Sequence, residues 1–244
     1  MLDERATAMV TQVQPRLTPI TDASEVRRFF HPKIPYAYMA EELVSRVAKT
    51  GCLVGGHFEL LSGQHTNVFL RFSRFASESA NVVAVARAIA QSIRTANISV
   101  DGVISPDTAG IILAYELARQ LNAPRFVAKT GEGRLPSTLL NHVDLPADAK
   151  ILLVNDIVTT GRGMQVMRRI VEDRGASVAG AATFTLRKNK SIDPASWLRQ
   201  GERLFAVADL IVENETFGAP FEHPDRDCPL CTAGVGITLS SELN

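Results

Sequence analysis

The chain carries no excess charge of either sign: 26 Lys and Arg balance 26 Asp and Glu. A neutral chain has no electrostatic reason to coat nucleic acid or anionic lipid, so a general DNA-binding role is not expected. Cysteine is scarce as well. The three present cannot build a disulfide framework, because one is always left over, and this points to a reducing, cytoplasmic compartment. No apolar run approaches the ~20 residues that span a bilayer. Arg87 interrupts the stretch Val82 to Ala90, and Asp209 interrupts Ala206 to Val212. The charged start, Met1-Leu2-Asp3-Glu4-Arg5, is followed by no signal core. Two phosphate-binding signatures are missing too, the Gly-Lys-Ser/Thr of a P-loop and the Gly-x-Gly-x-x-Gly of a dinucleotide fold. What is present, 45% hydrophobic and 21% charged residues in a chain of 244, suits one long globular domain or two small ones.

Residues 1–35 read as an N-terminal arm, punctuated by Pro15, Pro19, Pro32 and Pro35, with no clear apolar period. A helix is predicted over Tyr36 to Thr50, where Met39, Leu43, Val44 and Val47 share a face and Gly51 supplies a stop. The glycine-rich stretch from Gly55 to Gly63 reads as a hairpin. A second helix, Glu78 to Thr95, buries Val82, Val85, Ile89 and Ile93. Strands and helices then alternate. Strands are predicted at Gly102 to Ser105, Arg125 to Ala128, Ile151 to Val154, Val178 to Leu186 and Leu204 to Val212. Helices fall at Ala109 to Leu121 and Met164 to Arg174, and Lys129 to Asp148 reads as a polar loop. This is the pattern of an α/β fold with a doubly wound, mainly parallel sheet, which binds ligands beyond the carboxyl ends of its strands.

The segment Ile151-Leu152-Leu153-Val154-Asn155-Asp156-Ile157-Val158-Thr159-Thr160-Gly161-Arg162-Gly163 carries most of the chemistry. A buried strand ends in a polar pair, a Thr-Thr-Gly turn follows, and a helix begins. Free backbone N–H groups and two hydroxyls at a helix N-terminus make a ready anion site, and glycine lets a phosphate approach the backbone. The Asp156 carboxylate beside it can accept hydrogen bonds from a sugar diol.

This string resembles the phosphoribosyl diphosphate (PRPP) motif of the type I phosphoribosyltransferases. The stretch Gly56-His57-Phe58-Glu59-Leu60-Leu61-Ser62-Gly63-Gln64-His65-Thr66-Asn67-Val68-Phe69 is similar to the hood of the orotate phosphoribosyltransferases, with Thr66 in place of a serine. Ile104-Ser105-Pro106-Asp107-Thr108-Ala109-Gly110-Ile111 resembles that family's pyrophosphate loop. Thr185-Leu186-Arg187 falls where the family often has Asp-Arg. There are departures. One of the family's paired acids is here Asn155, the hood lysine is Leu61, and the Lys-x-His-Gly of the catalytic loop has no counterpart in Ala128-Lys129-Thr130-Gly131-Glu132-Gly133-Arg134.

The resemblance implies a type I phosphoribosyltransferase fold with a small hood. Its parts would be the arm at 1–35, helix and hood at 36–75, the PRPP-binding core at 76–215, and a tail at 216–244. It implies transfer of a phosphoribosyl group from PRPP to a nucleobase with release of pyrophosphate, orotate being the expected base and pyrimidine nucleotide synthesis the setting. Asp156 and Lys129 would be catalytic. Asn155, Asp156, Thr159, Thr160, Gly161, Arg162 and Gly163 would hold PRPP, as would Ser105, Asp107, Thr108, Ala109, Gly110 and Arg134. Phe58, Ser62, Phe69 and Arg187 would face the base. Mg²⁺ is the implied cofactor, held by substrate oxygens with no protein ligand, and a homodimer is the implied assembly. The altered loop leaves a second reading, a non-catalytic PRPP- or nucleotide-binding protein on the same fold. Without a DNA-binding domain in the arm, a transcriptional sensor is not expected.

Some residues admit a further or a plainer reading. Cys228-Pro229-Leu230-Cys231, with His223 upstream, offers three of the four ligands zinc needs. The plainer reading is two reduced thiols in a tight turn. His57 and His65, in a polar hairpin, are expected to be exposed. Arg187 at a strand end suits a surface cation as well as a base contact.

Overall fold

In the computed structural model the described residues are 17–35, 37–60, 63–131, 135–140, 144–188, 193–212 and 228–239. The order begins β1 (Thr18–Pro19), α1 (Ala23–Val26), β2 (Phe30–Pro32), α2 (Ala37–Thr50), β3 (Leu53–Glu59), β4 (His65–Leu70), α3 (Phe72–Phe75) and α4 (Ser79–Thr95). It continues β5 (Gly102–Pro106), α5 (Gly110–Leu121), β6 (Arg125–Thr130), β7 (Pro136–Leu139), β8 (Lys150–Val158), α6 (Arg162–Glu172), β9 (Ser177–Lys188) and β10 (Leu204–Ile211). A short α7 (Pro229–Thr232) and β11 (Thr238–Leu239) close it.

The larger sheet has seven strands in the order β2-β10-β9-β8-β5-β6-β7. Its five inner strands are parallel, and β2 and β7 run antiparallel at the two edges. Helices on both faces explain why β8 reads as an unbroken apolar run. Leu152 and Val154 point to one side and pack with Val85 and Ile89 of α4 and Leu113 and Leu117 of α5. Ile151 and Leu153 point to the other and pack with Met164, Met167 and Ile170 of α6. The doubly wound parallel sheet expected from the alternation of elements is therefore present, and all five parallel strands end on one edge.

A smaller sheet forms the hood. Its spine is β3, with β4 antiparallel to it along the length. The first part of β3 pairs with β1 and the last part with β11. The arm and the tail thus both supply strands, and β2 carries the arm into the larger sheet as well. Strands of two or three residues are too short to show a period, so nothing in the sequence announced them. The expected polar loop from Lys129 to Asp148 also needs correction. It contains β7, which makes a hairpin with β6, pairing Lys129 with Thr138 and Thr130 with Pro136. An antiparallel edge strand of four mixed residues closes the parallel sheet without any run of apolar side chains to betray it.

Among the described residues no helix is long and apolar enough to cross a membrane. The densest part of the core is aromatic. The Phe184 ring on β9 lies 5.6 Å from Phe30, 5.3 Å from Phe72 and 4.6 Å from Phe75, centroid to centroid. These four rings join arm, hood connection and main sheet. Phe184→Ala should therefore cost ~3–5 kcal/mol of unfolding free energy, read as a lower urea midpoint with little change in slope.

Candidate active site at the carboxyl edge of the sheet

Where β8 ends, the chain turns through Thr159, Thr160 and Gly161 into α6. Gly161 takes the left-handed conformation at φ 71° and stands as N-cap, so the cap residue itself offers no side chain. The backbone N–H of Arg162 donates to Thr160 Oγ1 at 3.3 Å. A Cβ on Gly161 would collide with the Trp197 indole. That ring is held in place: its Nε1–H donates to the Pro194 carbonyl at 2.8 Å, and the Arg168 guanidinium stacks on it at 5.4 Å. Arg168 is itself fixed by Glu202, with one bond at 2.7 Å. Glycine is thus required at this position for backbone and for space.

A second helix N-terminus opens at the same edge of the sheet. α5 also starts without a side-chain cap, at Gly110 behind Ala109. A Cβ on Gly110 would lie 2.6 Å from Asn155 Oδ1 and 3.1 Å from the Asp156 nitrogen. Only glycine lets the turn after β5 press this closely on the polar pair ending β8. Asp107 belongs to the same turn, where its Oδ1 accepts the Thr130 N–H at 2.7 Å and its own N–H donates to the Ala128 carbonyl at 3.0 Å. One oxygen of Asp107 is therefore engaged in tying the turn to β6. N-termini without an N-cap side chain leave N–H donors and the positive ends of two helix dipoles at this edge of the sheet. The hydroxyls of Ser105 on β5 and Thr185 on β9 are buried with no hydrogen-bond partner among the described residues. A buried hydroxyl without a partner is costly unless a ligand or water satisfies it.

Asp156 lies between the two turns. Burial pushes its carboxyl up to about 6, and only the backbone N–H groups of Ile157 and of Asp156 itself work against that rise. Its carbonyl accepts the Thr183 hydroxyl at 2.8 Å, which fixes the strand end. Asn155 folds back on its own backbone: Oδ1 accepts the Asp156 N–H at 3.0 Å and Nδ2 donates to the Ile157 carbonyl at 3.3 Å. A second carboxylate at 155 would push a carboxyl already raised by desolvation still higher. An amide avoids that repulsion.

The hood reaches this edge through Arg187, at the end of β9. Its side chain is buried, and Nη2 donates to Thr66 Oγ1 at 2.8 Å and to the Val68 carbonyl at 2.9 Å. The surface-cation reading of Arg187 is thereby corrected: the guanidinium fastens β4 to the sheet. Phe58 and Phe69, 5.6 Å apart, pack with Val54 as the hood's own apolar core. The expectation that His57 and His65 are exposed is also overturned. They are 0% and 1% exposed, because α7 covers the hairpin face that carries them. Lys129 is exposed on β6. The hairpin it belongs to comes near the phosphate turn, since a Cβ on Gly163 would lie 4.0 Å from Pro136 Cδ. Thr159 is half-buried and Thr160 and Arg162 are exposed around the same turn. Ser62, Arg134 and His223 lie outside the described residues. Sequence reasoning missed Trp197, Thr66 as the acceptor for Arg187, and the contact of Gly110 with Asn155. Each depends on partners far along the chain.

Two helix N-termini without N-cap side chains, at the edge where β8 ends in a carboxylate, are an arrangement suited to an anionic ligand on an α/β fold. Residues 75–223 match the phosphoribosyl transferase domain family, well over half of the chain, and the protein belongs to that family. It is 30% identical over 185 residues to the orotate phosphoribosyltransferase of Carboxydothermus hydrogenoformans, covering 76% of this chain and 88% of that one. It is 31% identical over 193 residues to the enzyme of the same name from Nitratiruptor, covering 76% and 91%. The orotate phosphoribosyltransferase structure from Aeropyrum pernix superposes with a TM-score of 0.55 at 22% identity, over 69% of this chain and 93% of that one, which places the fold.

The Asp156 environment has a consequence for stability. With the folded pKa at about 6 above an ordinary 3.8, the charged form is penalised in the native state above pH 6. Below the unfolded value both states are protonated and the penalty is gone. Asp156→Asn should therefore raise unfolding free energy on the order of 1–2 kcal/mol at pH 7.5. The gain should shrink as pH falls through 6 toward 4, in parallel urea titrations of both proteins.

Proposed function

We propose that this protein transfers the phosphoribosyl group of PRPP to a nucleobase, orotate being the base, with release of pyrophosphate. The observation that carries the proposal is the strand end at Asp156, against which the start of α5 presses and from which the Thr-Thr-Gly turn leads into α6. In this reaction the bond from the anomeric carbon to pyrophosphate breaks as a ring nitrogen of the base bonds to that carbon. Positive charge develops on the ribose and negative charge on the leaving group. The amides of α6, with Thr159, Thr160 and Gly163, would bind the 5′-phosphate, and Arg162 would add charge. The turn from Ser105 to Gly110 would cradle pyrophosphate. Asp156, between them, would accept hydrogen bonds from the ribose diol and offset the charge on the ring. Lys129 would approach the pyrophosphate from the β6–β7 hairpin.

The donors around this space fit Mg²⁺ only through the substrate. Asp107 has one oxygen committed to Thr130, and Asp156 is half-charged near pH 6, so the protein offers carboxylate oxygens but no cage. Bound on PRPP, the ion would supply charge to the leaving pyrophosphate. Relatives named orotate phosphoribosyltransferase at 30% and 31% identity support orotate as the base. A homodimer, with the β6–β7 hairpin serving the neighbouring subunit's site, belongs to this proposal and is measured by light scattering.

Calorimetry with PRPP and Mg²⁺ should give a clear affinity that Thr160→Val weakens by ~10-fold, the effect of one lost hydrogen bond to a charged group. Equal binding by the two proteins would remove the phosphate site from this turn. A panel of bases incubated with PRPP and Mg²⁺ should release pyrophosphate fastest with orotate. PRPP binding without release for any base would establish instead the non-catalytic reading, which Leu61, Asn155 and the short hairpin favour.

Asp156→Asn should lower kcat by ~10²-fold while PRPP affinity changes only a few-fold, since the charge is needed mainly in the transition state. An unchanged kcat would make the acid structural. The wild type should lose kcat/KM as pH falls through about 6, where Asp156 gains its proton.

A further inference from the structure

We infer that the hood carries a structural zinc site formed by His57, His65, Cys228 and Cys231. One ligand atom from each of these side chains lies within 4.8 Å of all the others. Three of the four residues are fully buried and Cys231 is half-buried. His57 Nε2 and His65 Nδ1 are 3.1 Å apart. Cys228 Sγ is 3.4 Å from His57 Nε2, and Cys231 Sγ is 3.7 Å from it and 3.2 Å from His65 Nδ1. A tetrahedron with ordinary Zn–N and Zn–S bonds has edges of about 3.3 Å between nitrogens and about 3.6 Å between nitrogen and sulfur. The side chains already stand at those separations.

A hydrogen-bond network accounts for the cluster poorly. His57 Nδ1–H donates to the Val235 carbonyl at 2.8 Å, so Nε2 faces the cluster with its lone pair. That single lone pair meets three neighbours at hydrogen-bonding distance, and one proton can serve only one of them. A cation at the centre serves all four ligands at once. The Val235 contact is the kind of outer partner that orients a metal-bound imidazole. Two thiolates with two imidazoles suit zinc, and four protein ligands leave no open position for catalysis. The site is therefore structural.

Its place in the fold says what it would hold. His57 is on β3, His65 on β4, and both cysteines are at α7, just before β11 joins β3. The metal would fasten residues 228–239 onto the hood hairpin. It would also fix Thr66, next to His65, which receives Arg187. None of the three cysteines is in a disulfide, which fits a compartment that keeps thiolates available for metal.

The test uses the full-length protein, purified under reducing conditions and without chelator. Elemental analysis should find zinc at one per chain. A thiol-specific mercurial should release it to a chromogenic chelator. Replacement by Co²⁺ should give the visible bands of a tetrahedral site and a thiolate charge-transfer band. Cys231→Ser should lower zinc affinity by well over ~10-fold, and Cys52→Ala, whose thiol lies in the core, should leave it unchanged. On chelation, amide exchange should accelerate in residues 53–70 and 228–239 ahead of the main sheet. Protein that stays metal-free after incubation with equimolar Zn²⁺ would overturn the proposal. So would zinc retained in Cys231→Ser, iron or copper in its place, or a Cys228–Cys231 disulfide that persists under reduction.

Discussion

The left-handed turn at Gly161 is the constraint on which the candidate site depends. It ends β8, starts α6 without a side-chain cap, and passes so close to Trp197 that no Cβ is tolerated. The Trp197 ring is in turn held by Pro194 and by Arg168, which is anchored to Glu202. A loop residue 36 positions further along the chain thus fixes where the α6 amides point. Gly110 does the same on the other side, letting the turn after β5 touch Asn155. Both helices start at one edge of the sheet because they follow neighbouring parallel strands that end there.

A carboxylate in that space is placed at a cost. Desolvation raises the Asp156 pKa to about 6, and no cation among the described residues offsets it. Such a group is destabilising in the free protein and useful only when a ligand meets it, which is how functional sites differ from cores. Asn155 limits the cost by keeping a second charge away. The buried hydroxyls of Ser105 and Thr185, unpartnered in the protein alone, belong to the same pattern of polar groups awaiting a partner.

The hood depends on different forces. Its apolar core is small, little more than Val54, Phe58 and Phe69. Its strands of two, seven, six and two residues also lend Leu53, Val68 and Leu70 to the main core. Arg187 fastens its inner strand to the main sheet, and the cluster of two histidines and two cysteines fastens the tail to its outer side. A metal there would add stability on the side of the hood away from the main core.

By itself the sequence determined the parallel sheet, because β5 and β8 are apolar runs buried on both faces and alternate with amphipathic helices. It also determined the candidate-site turn, because strand, acid, Thr-Thr-Gly and helix are contiguous and their chemistry is local. What lay in contacts between distant segments was decided only by the tertiary structure. The edge strand β7 and the short strands β1, β2 and β11 have no period of their own and exist because a neighbour offers an unpaired edge. Arg187 could be read as exposed or buried until Thr66 and Val68 were seen to receive it. His57 and His65 sit in a polar hairpin that predicts exposure, and the two cysteines that cover them stand over 160 residues later. Local physics fixes which residues can bind, and burial, a non-local quantity, decides which of them come together.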